Sequence, residues 1–137
     1  MPSPLEPVPP DRSRLMSRVK SRNTQPEMII RRLVNSMGYR FRLHRHSLPG
    51  SPDLVFPRRK RVLFVHGCFW HRHPGCRHTT TPKTRVDFWQ AKFQDNIARD
   101  LRVESALRES GWEVLVVWAC EIKDIPELRG RLEEFLG

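Results

Sequence analysis

Between Thr24 and Met37 the apolar residues Ile30, Leu33, Val34 and Met37 recur at helical spacing and share one face. Thr24 and Glu27 have capping-box spacing, Pro26 suits a first turn, and Gly38 is a natural stop. The period then changes. Tyr39–Leu43 alternates like a strand, and Leu48-Pro-Gly-Ser-Pro52 reads as a turn into a short apolar run, Asp53–Pro57. A basic turn, Arg58–Lys60, joins this run to Arg61-Val-Leu-Phe-Val-His66, so the pattern predicts a β-hairpin. Regular periodicity lapses from Gly67 to Pro82. A long helix is predicted from Val86 to Glu109, ending at Gly111, with Phe93, Ile97 and Leu101 as its core stripe. Glu113–Trp118 is apolar enough to predict a strand buried on both faces, and Pro126–Leu136 a closing amphipathic helix. No internal repeat is present. These elements predict an α/β fold, one sheet sandwiched by helices.

The chain of 137 residues suggests one domain, placed at 12–137 behind a proline-rich lead-in over 1–11 that is expected to be disordered. Residues 11–22 add Arg12, Arg14, Arg18, Lys20 and Arg22 against one acid, a basic arm or a short helix that orders on DNA, with a merely solvated tail the equal alternative. Charge sharpens this reading. Against 15 Asp and Glu stand 25 Lys and Arg, a formal +10 that attracts nucleic acid or anionic membrane. No apolar run approaches the roughly 20 residues of a membrane span, and the N-terminus lacks a secretory core. A nucleic-acid partner and a cytoplasmic, nucleoid-associated location are therefore expected. A small-molecule metalloenzyme fits the histidines but not the charge.

Three groups of residues carry candidate chemistry. Asp53 opens one hairpin strand and Val65-His66 closes the next, so antiparallel pairing brings Asp53 to the Val65–His66 backbone. A carboxylate on a rigid strand suits Mg²⁺, although Asp53 could equally cap the turn after Pro52. Cys68, His73, Cys76 and Cys120 form a donor set suited to structural Zn²⁺. His71 or His78 could supply the imidazole instead, and three unrelated buried thiols are the competing explanation. Phe69 and Trp70 lie inside this polar loop, and Trp89, Lys92 and Asn96 share one helix face; rings beside cations suit insertion between base steps. Ordinary packing explains Phe88 and Trp112 better.

Ser21-Arg-Asn-Thr-Gln-Pro-Glu27, Leu48-Pro-Gly-Ser-Pro-Asp53, Val65-His-Gly-Cys-Phe-Trp-His71, Pro82-Lys-Thr-Arg-Val-Asp-Phe-Trp89 and Gly111-Trp-Glu-Val-Leu-Val-Val-Trp-Ala-Cys120 resemble the very short patch repair (Vsr) endonucleases, in the family's order. The resemblance implies a restriction-endonuclease-like core around a central mixed sheet, with a structural zinc. It implies Mg²⁺-dependent nicking of duplex DNA 5′ to the thymine of a T·G mismatch, the lesion left when 5-methylcytosine deaminates. Asp53 and the Val65 carbonyl become Mg²⁺ ligands, His71 the general base, and His66 and Glu27 supporting groups. Cys68, His73, Cys76 and Cys120 become zinc ligands. Phe69, Trp70 and Trp89 become the wedge, and Lys92 and Asn96 contacts to base or backbone. A monomer, with mismatch-repair proteins as further partners, is the matching expectation. Two positions depart from the family pattern: Pro74 and Gly75 separate His73 from Cys76, and Ala119 stands before Cys120 where Glu is expected. The rival readings are a restriction-type double-strand cutter and a non-catalytic zinc-stabilised DNA-binding module.

Overall fold

A computed structural model of the chain describes residues 24–137. The lead-in at 1–11 and the basic segment at 11–22 lie outside the described residues.

Helix α1, Gln25–Ser36, starts where the sequence signals it: the Thr24 hydroxyl accepts the Glu27 N–H at 3.4 Å, and Pro26 occupies the first turn. Its end follows the same logic, since Gly38 adopts φ 88°, a conformation cheap only for glycine. Ile30, Leu33 and Val34 are buried on its inner face. The strand anticipated at Tyr39–Leu43 shrinks at its start to β1, Arg42–Leu43, because the strand it pairs with ends at Phe56 before Pro57, and His44 turns left-handed (φ 44°) just past its end. The hairpin forms as expected from β2, Leu54–Phe56, and β3, Arg61–His66, with Leu54 opposite Leu63 and Val55 opposite Val62. A short helix α2, Cys68–His71, interrupts the irregular loop. Helix α3, Val86–Glu109, crosses over to β4, Glu113–Trp118, which pairs parallel to β3. A 3₁₀ turn over Ala119–Lys123 leads to α4, Ile125–Leu136. The sheet order β1-β2-β3-β4 is mixed, antiparallel except for the last pair.

Side chains alternate across the sheet and build two cores. On one face Leu54, Phe56, Leu63 and Val117 pack against Ile30, Leu33 and Val34 of α1 and Leu128, Leu132 and Leu136 of α4. On the other, Val55, Val62 and Phe64 meet Leu107 of α3 and Trp112. Each fully buried Leu or Val contributes roughly 1.5–3 kcal/mol relative to exposure. Two expectations need correction. Helices cover both faces of β4, but it is an edge strand, and within it Val117 alone is fully buried. In α3, Leu101 is 62% exposed and Ile97 half-buried, so the stripe Phe93–Ile97–Leu101 is not the packed one. Steps of four residues drift 40° each around a helix of 3.6 residues per turn. The inward face instead alternates steps of four and three: Trp89, Phe93, Asn96, Asp100, Val103 and Leu107. Its middle is polar, and that polar stretch reaches the candidate site.

Candidate active site and metal centre

The start of β2 and the end of β3 border a cleft of about 450 Å³ whose walls include His44, Asp53, Val65, His66, His71 and Asp100. Asp53 stands one residue before β2, where its Oδ2 accepts the Val65 N–H at 2.7 Å. The N–H and C=O of one residue leave an extended strand on the same side. The Val65 carbonyl is therefore directed to the Asp53 side of β3. Burial, and secondarily the negative charge of Glu27, raise the Asp53 carboxyl from 3.8 to about 7, opposed by the Val65 N–H. A carboxylate held in this way favours a cation beside it. Glu27 projects from the first turn of α1, pairs with Arg31, and lies 2.8 Å from His44 Nε2. Glu27, His44 and Asp53 together bring three potential ligand atoms within 4.8 Å of one another.

Across the cleft, Gly67 caps α2 and the tight turn swings His71 back against β3. His71 Nδ1 lies 2.7 Å from Asp100 Oδ2 of α3. That contact assigns the ring proton to Nδ1 and leaves Nε2 as a proton acceptor. The His71 ring stacks on His66, centroids 3.9 Å apart and nearly parallel. Burial and the neighbouring His71 lower His66 from 6.5 to about 4, so His66 is neutral at physiological pH.

A second group of potential metal ligands gathers beside α2. Of the three candidate imidazoles, the structure brings His73 to Cys68, Cys76 and Cys120, all four donor atoms lying within 4.8 Å. His71 belongs to the cleft instead, and His78 contributes its backbone N–H to Cys76 Sγ at 3.4 Å. His73 Nδ1 is 3.7 Å from Cys68 Sγ and 3.4 Å from Cys120 Sγ, while Cys76 and Cys120 sulfurs are 3.9 Å apart. Tetrahedral bonds of the usual lengths to one ion separate N and S by roughly 3.6 Å and two sulfurs by roughly 3.8 Å. The His78 N–H draws the Cys76 thiol down to about 7, whereas burial and the neighbouring sulfurs push Cys120 up to about 12. Several thiolates at this spacing need a cation to coexist. Glu121 follows Cys120 rather than preceding it, and supports the turn by accepting the Trp118 N–H at 2.8 Å and pairing with Arg131 at 2.9 Å.

Phe69, Trp70, Phe88, Trp89 and Phe93 form one aromatic cluster. Phe69 and Trp70, on α2, are half-buried and pack edge-on at 5.2 Å. Trp89 is 3% exposed and lies beneath them, against Phe69, Trp70 and Phe93. Asn96 Nδ2 donates to the Trp70 carbonyl at 3.2 Å, and Lys92 lies half-buried one turn earlier. The structure thus gathers Glu27, Asp53, His66 and His71 at the sheet end and Phe69, Trp70, Trp89 and Asn96 beside it. Sequence reading missed Asp100 and His44. Asp100 was accessible in principle, being on the same face as Trp89, Phe93 and Asn96. His44 carries no local signal.

A mixed four-stranded sheet flanked by helices, with acidic and histidine side chains gathered at one sheet end, is consistent with an α/β nuclease. The family profile described as DNA mismatch endonuclease Vsr matches residues 8–77. The chain is 56% identical over 128 residues to the type II nicking enzyme V.XorIIP of Xanthomonas oryzae pv. oryzae, covering 93% of each chain. It is 40% identical over 130 residues to the DNA mismatch endonuclease Vsr of Escherichia coli K12, covering 91% of this chain and 83% of that one. The type II nicking enzyme V.NmeAIP of Neisseria meningitidis is 38% identical over 125 residues, 91% and 89% of the two chains. This chain belongs to the Vsr family of DNA mismatch endonucleases. Among the described residues no helix is long and apolar enough to cross a membrane.

Proposed function

We propose that this protein nicks one strand of duplex DNA 5′ to the thymine of a T·G mismatch, by Mg²⁺-dependent hydrolysis, in very short patch repair on a restriction-endonuclease-like core. The observation that carries this reading is the pairing, across one cleft, of the Val65-bound Asp53 carboxylate with the His71–Asp100 pair. Asp53 and the Val65 carbonyl would hold Mg²⁺, which supplies charge stabilisation at the scissile phosphate. Asp100 fixes the His71 tautomer, and His71 Nε2 takes a proton from the attacking water. The water oxygen bonds to phosphorus as the bond to the leaving oxygen breaks. His66, neutral, backs the His71 ring and spares it a like charge, while Glu27 supports the Asp53 side.

Cys68, His73, Cys76 and Cys120 would hold a structural Zn²⁺ that fixes α2, and with it His71, against the end of β4. Phe69 and Trp70 wedge beside the mismatch, Trp89 supports them from below, and Lys92 and Asn96 contact bases or backbone. A T·G pair stacks less firmly than its matched counterpart, so deforming it costs less and discrimination follows from deformation energy. The +10 charge favours association with the DNA backbone. One active site and one nick fit a monomer, a DNA substrate fits a cytoplasmic location, and mismatch-repair proteins are natural further partners.

End-labelled duplexes carrying T·G, or T·A at the same position, incubated with Mg²⁺ or EDTA, test the reading. A Mg²⁺-dependent nick confined to the thymine strand of the T·G duplex is expected. Cutting of both strands in the matched duplex would replace it with a restriction-type activity.

A further inference from the structure

His44 lies against Asp53 and has no part in the mechanism above. Its backbone takes φ 44°, a left-handed conformation uncommon for a residue other than glycine. Its N–H donates to the Asp53 carbonyl at 3.3 Å. The ring is thereby aimed inward. Its Nε2 lies 2.8 Å from Glu27 Oε2 and 3.9 Å from Asp53 Oδ1. Nε2 is buried, yet it completes no hydrogen bond with a described group. A buried ring nitrogen and two carboxylates, with ligand atoms within 4.8 Å of one another, form a donor set that a divalent ion could take.

The donor spacing fits an ion. Adjacent donors of an octahedron with bonds near 2.1 Å are roughly 3.0 Å apart, and the two observed separations bracket that value. Arg31 pairs with Glu27 and offsets part of the carboxylate charge, so the ion meets a site that is not wholly anionic. Asp53 Oδ2 is committed to Val65, which leaves Oδ1 on the His44 side. Mg²⁺ and Ca²⁺ select oxygen donors, whereas imidazole nitrogen suits first-row transition ions.

We propose that His44 Nε2, with the Asp53 and Glu27 carboxylates, is a ligand of the catalytic divalent ion, so that this site takes nitrogen-accepting transition ions more tightly than Mg²⁺. The proposal rests on the metal-dependent reading of Asp53, and Mn²⁺, which accepts both donor types, is the probe.

The test uses the full chain loaded with zinc. Electron paramagnetic resonance with ¹⁴N-resolved pulses on bound Mn²⁺ is recorded for wild type, His44→Gln and Asp53→Ala, with calorimetric titration of Mn²⁺ and Mg²⁺. Wild type is expected to show a directly bound ¹⁴N that His44→Gln loses. The same substitution weakens Mn²⁺ binding about 10-fold or more, by analogy with the loss of groups around a metal, and Mg²⁺ binding far less. A wild-type spectrum without ¹⁴N coupling, coupling that persists in His44→Gln, or equal weakening for both ions overturns the proposal. Unchanged zinc content and circular dichroism certify the variant; should it not fold, His44→Asn carries the same comparison, and absence of ¹⁴N coupling in wild type overturns the proposal by itself. If Asp53→Ala binds Mn²⁺ and Mg²⁺ as wild type does, the metal reading of Asp53 falls as well. If Asp53→Ala loses both ions while His44→Gln behaves as wild type, only the role of His44 falls.

Discussion

The imidazole of His71 is held from two sides: Asp100 Oδ2 lies 2.7 Å from its Nδ1, and the His66 ring stacks on its face at 3.9 Å. The first contact fixes which nitrogen carries the proton, and the second fixes the ring plane. Asp100→Asn preserves the shape but can present its amide N–H to Nδ1, which favours the wrong tautomer. Single-turnover nicking is expected to fall by about 10²–10⁴, with the melting temperature nearly unchanged. A loss of less than threefold would remove Asp100 from the mechanism.

The metal-free protein should carry a pH signature of Asp53. Its carboxyl is raised from 3.8 to about 7, so the folded state holds a proton that the unfolded state has released across that window. Stability from this group is therefore present at low pH and lost as pH rises towards 7. His66, lowered from 6.5 to about 4, works in the opposite sense and loses stability as pH falls through that interval. Asp53→Asn removes only the first effect. Its melting temperature relative to wild type, without added Mg²⁺, should climb from pH 4 to pH 7 and then level off. A difference independent of pH would show that Asp53 ionises normally.

Mg²⁺ affinity should follow the same group. Binding needs the charged carboxylate, so calorimetric affinity is expected to weaken by about tenfold for each pH unit below 7, the limiting behaviour when one proton must leave. Constant affinity between pH 5 and pH 8 would separate the ion from Asp53.

The cluster of Cys68, His73, Cys76 and Cys120 predicts roughly one zinc per chain, and Cys76→Ser or Cys120→Ser should lose most of it. Atomic absorption on purified protein measures this directly. The melting temperature should fall with the metal, because α2 is then tied to the end of β4 only by packing. Wild-type protein purified without zinc, yet equally stable after treatment with a chelator, would refute a structural site.

Trp70 and Trp89 should separate function from folding. Trp89 is 3% exposed, so Trp89→Ala opens a cavity and costs about 3–5 kcal/mol in denaturant unfolding. Half-buried Trp70 costs less, but Trp70→Ala should reduce the preference for T·G over T·A. Equal weakening on every substrate would leave Trp70 as packing rather than a reader of the mismatch.

Much of the fold was legible because local rules set it. Thr24, Pro26 and Gly38 bracket α1, the run Asp53–His66 is a hairpin by alternation and turn chemistry, and Val86–Glu109 has the length and ending of a helix. The cysteines and the segment His66–His71 were equally visible, since their residue types are chemically distinctive at close spacing. The long-range partners were not. Which imidazole joins the cysteines depends on the turn of α2, which sends His73 to Cys120 and His71 to Asp100. Which face of α3 turns inward depends on the sheet it packs against, and that choice exposed Leu101 while presenting Asp100 to the cleft. His44 met Glu27 and Asp53 only because β1 stops after two residues and the chain turns left-handed. Most elements, the charge and the chemical groups were readable from the chain, because these follow from neighbours within a few residues, whereas the length of β1 and the turn of α2 were not. Tertiary structure alone decided which groups meet, because contacts between distant elements are set by packing against a shared core.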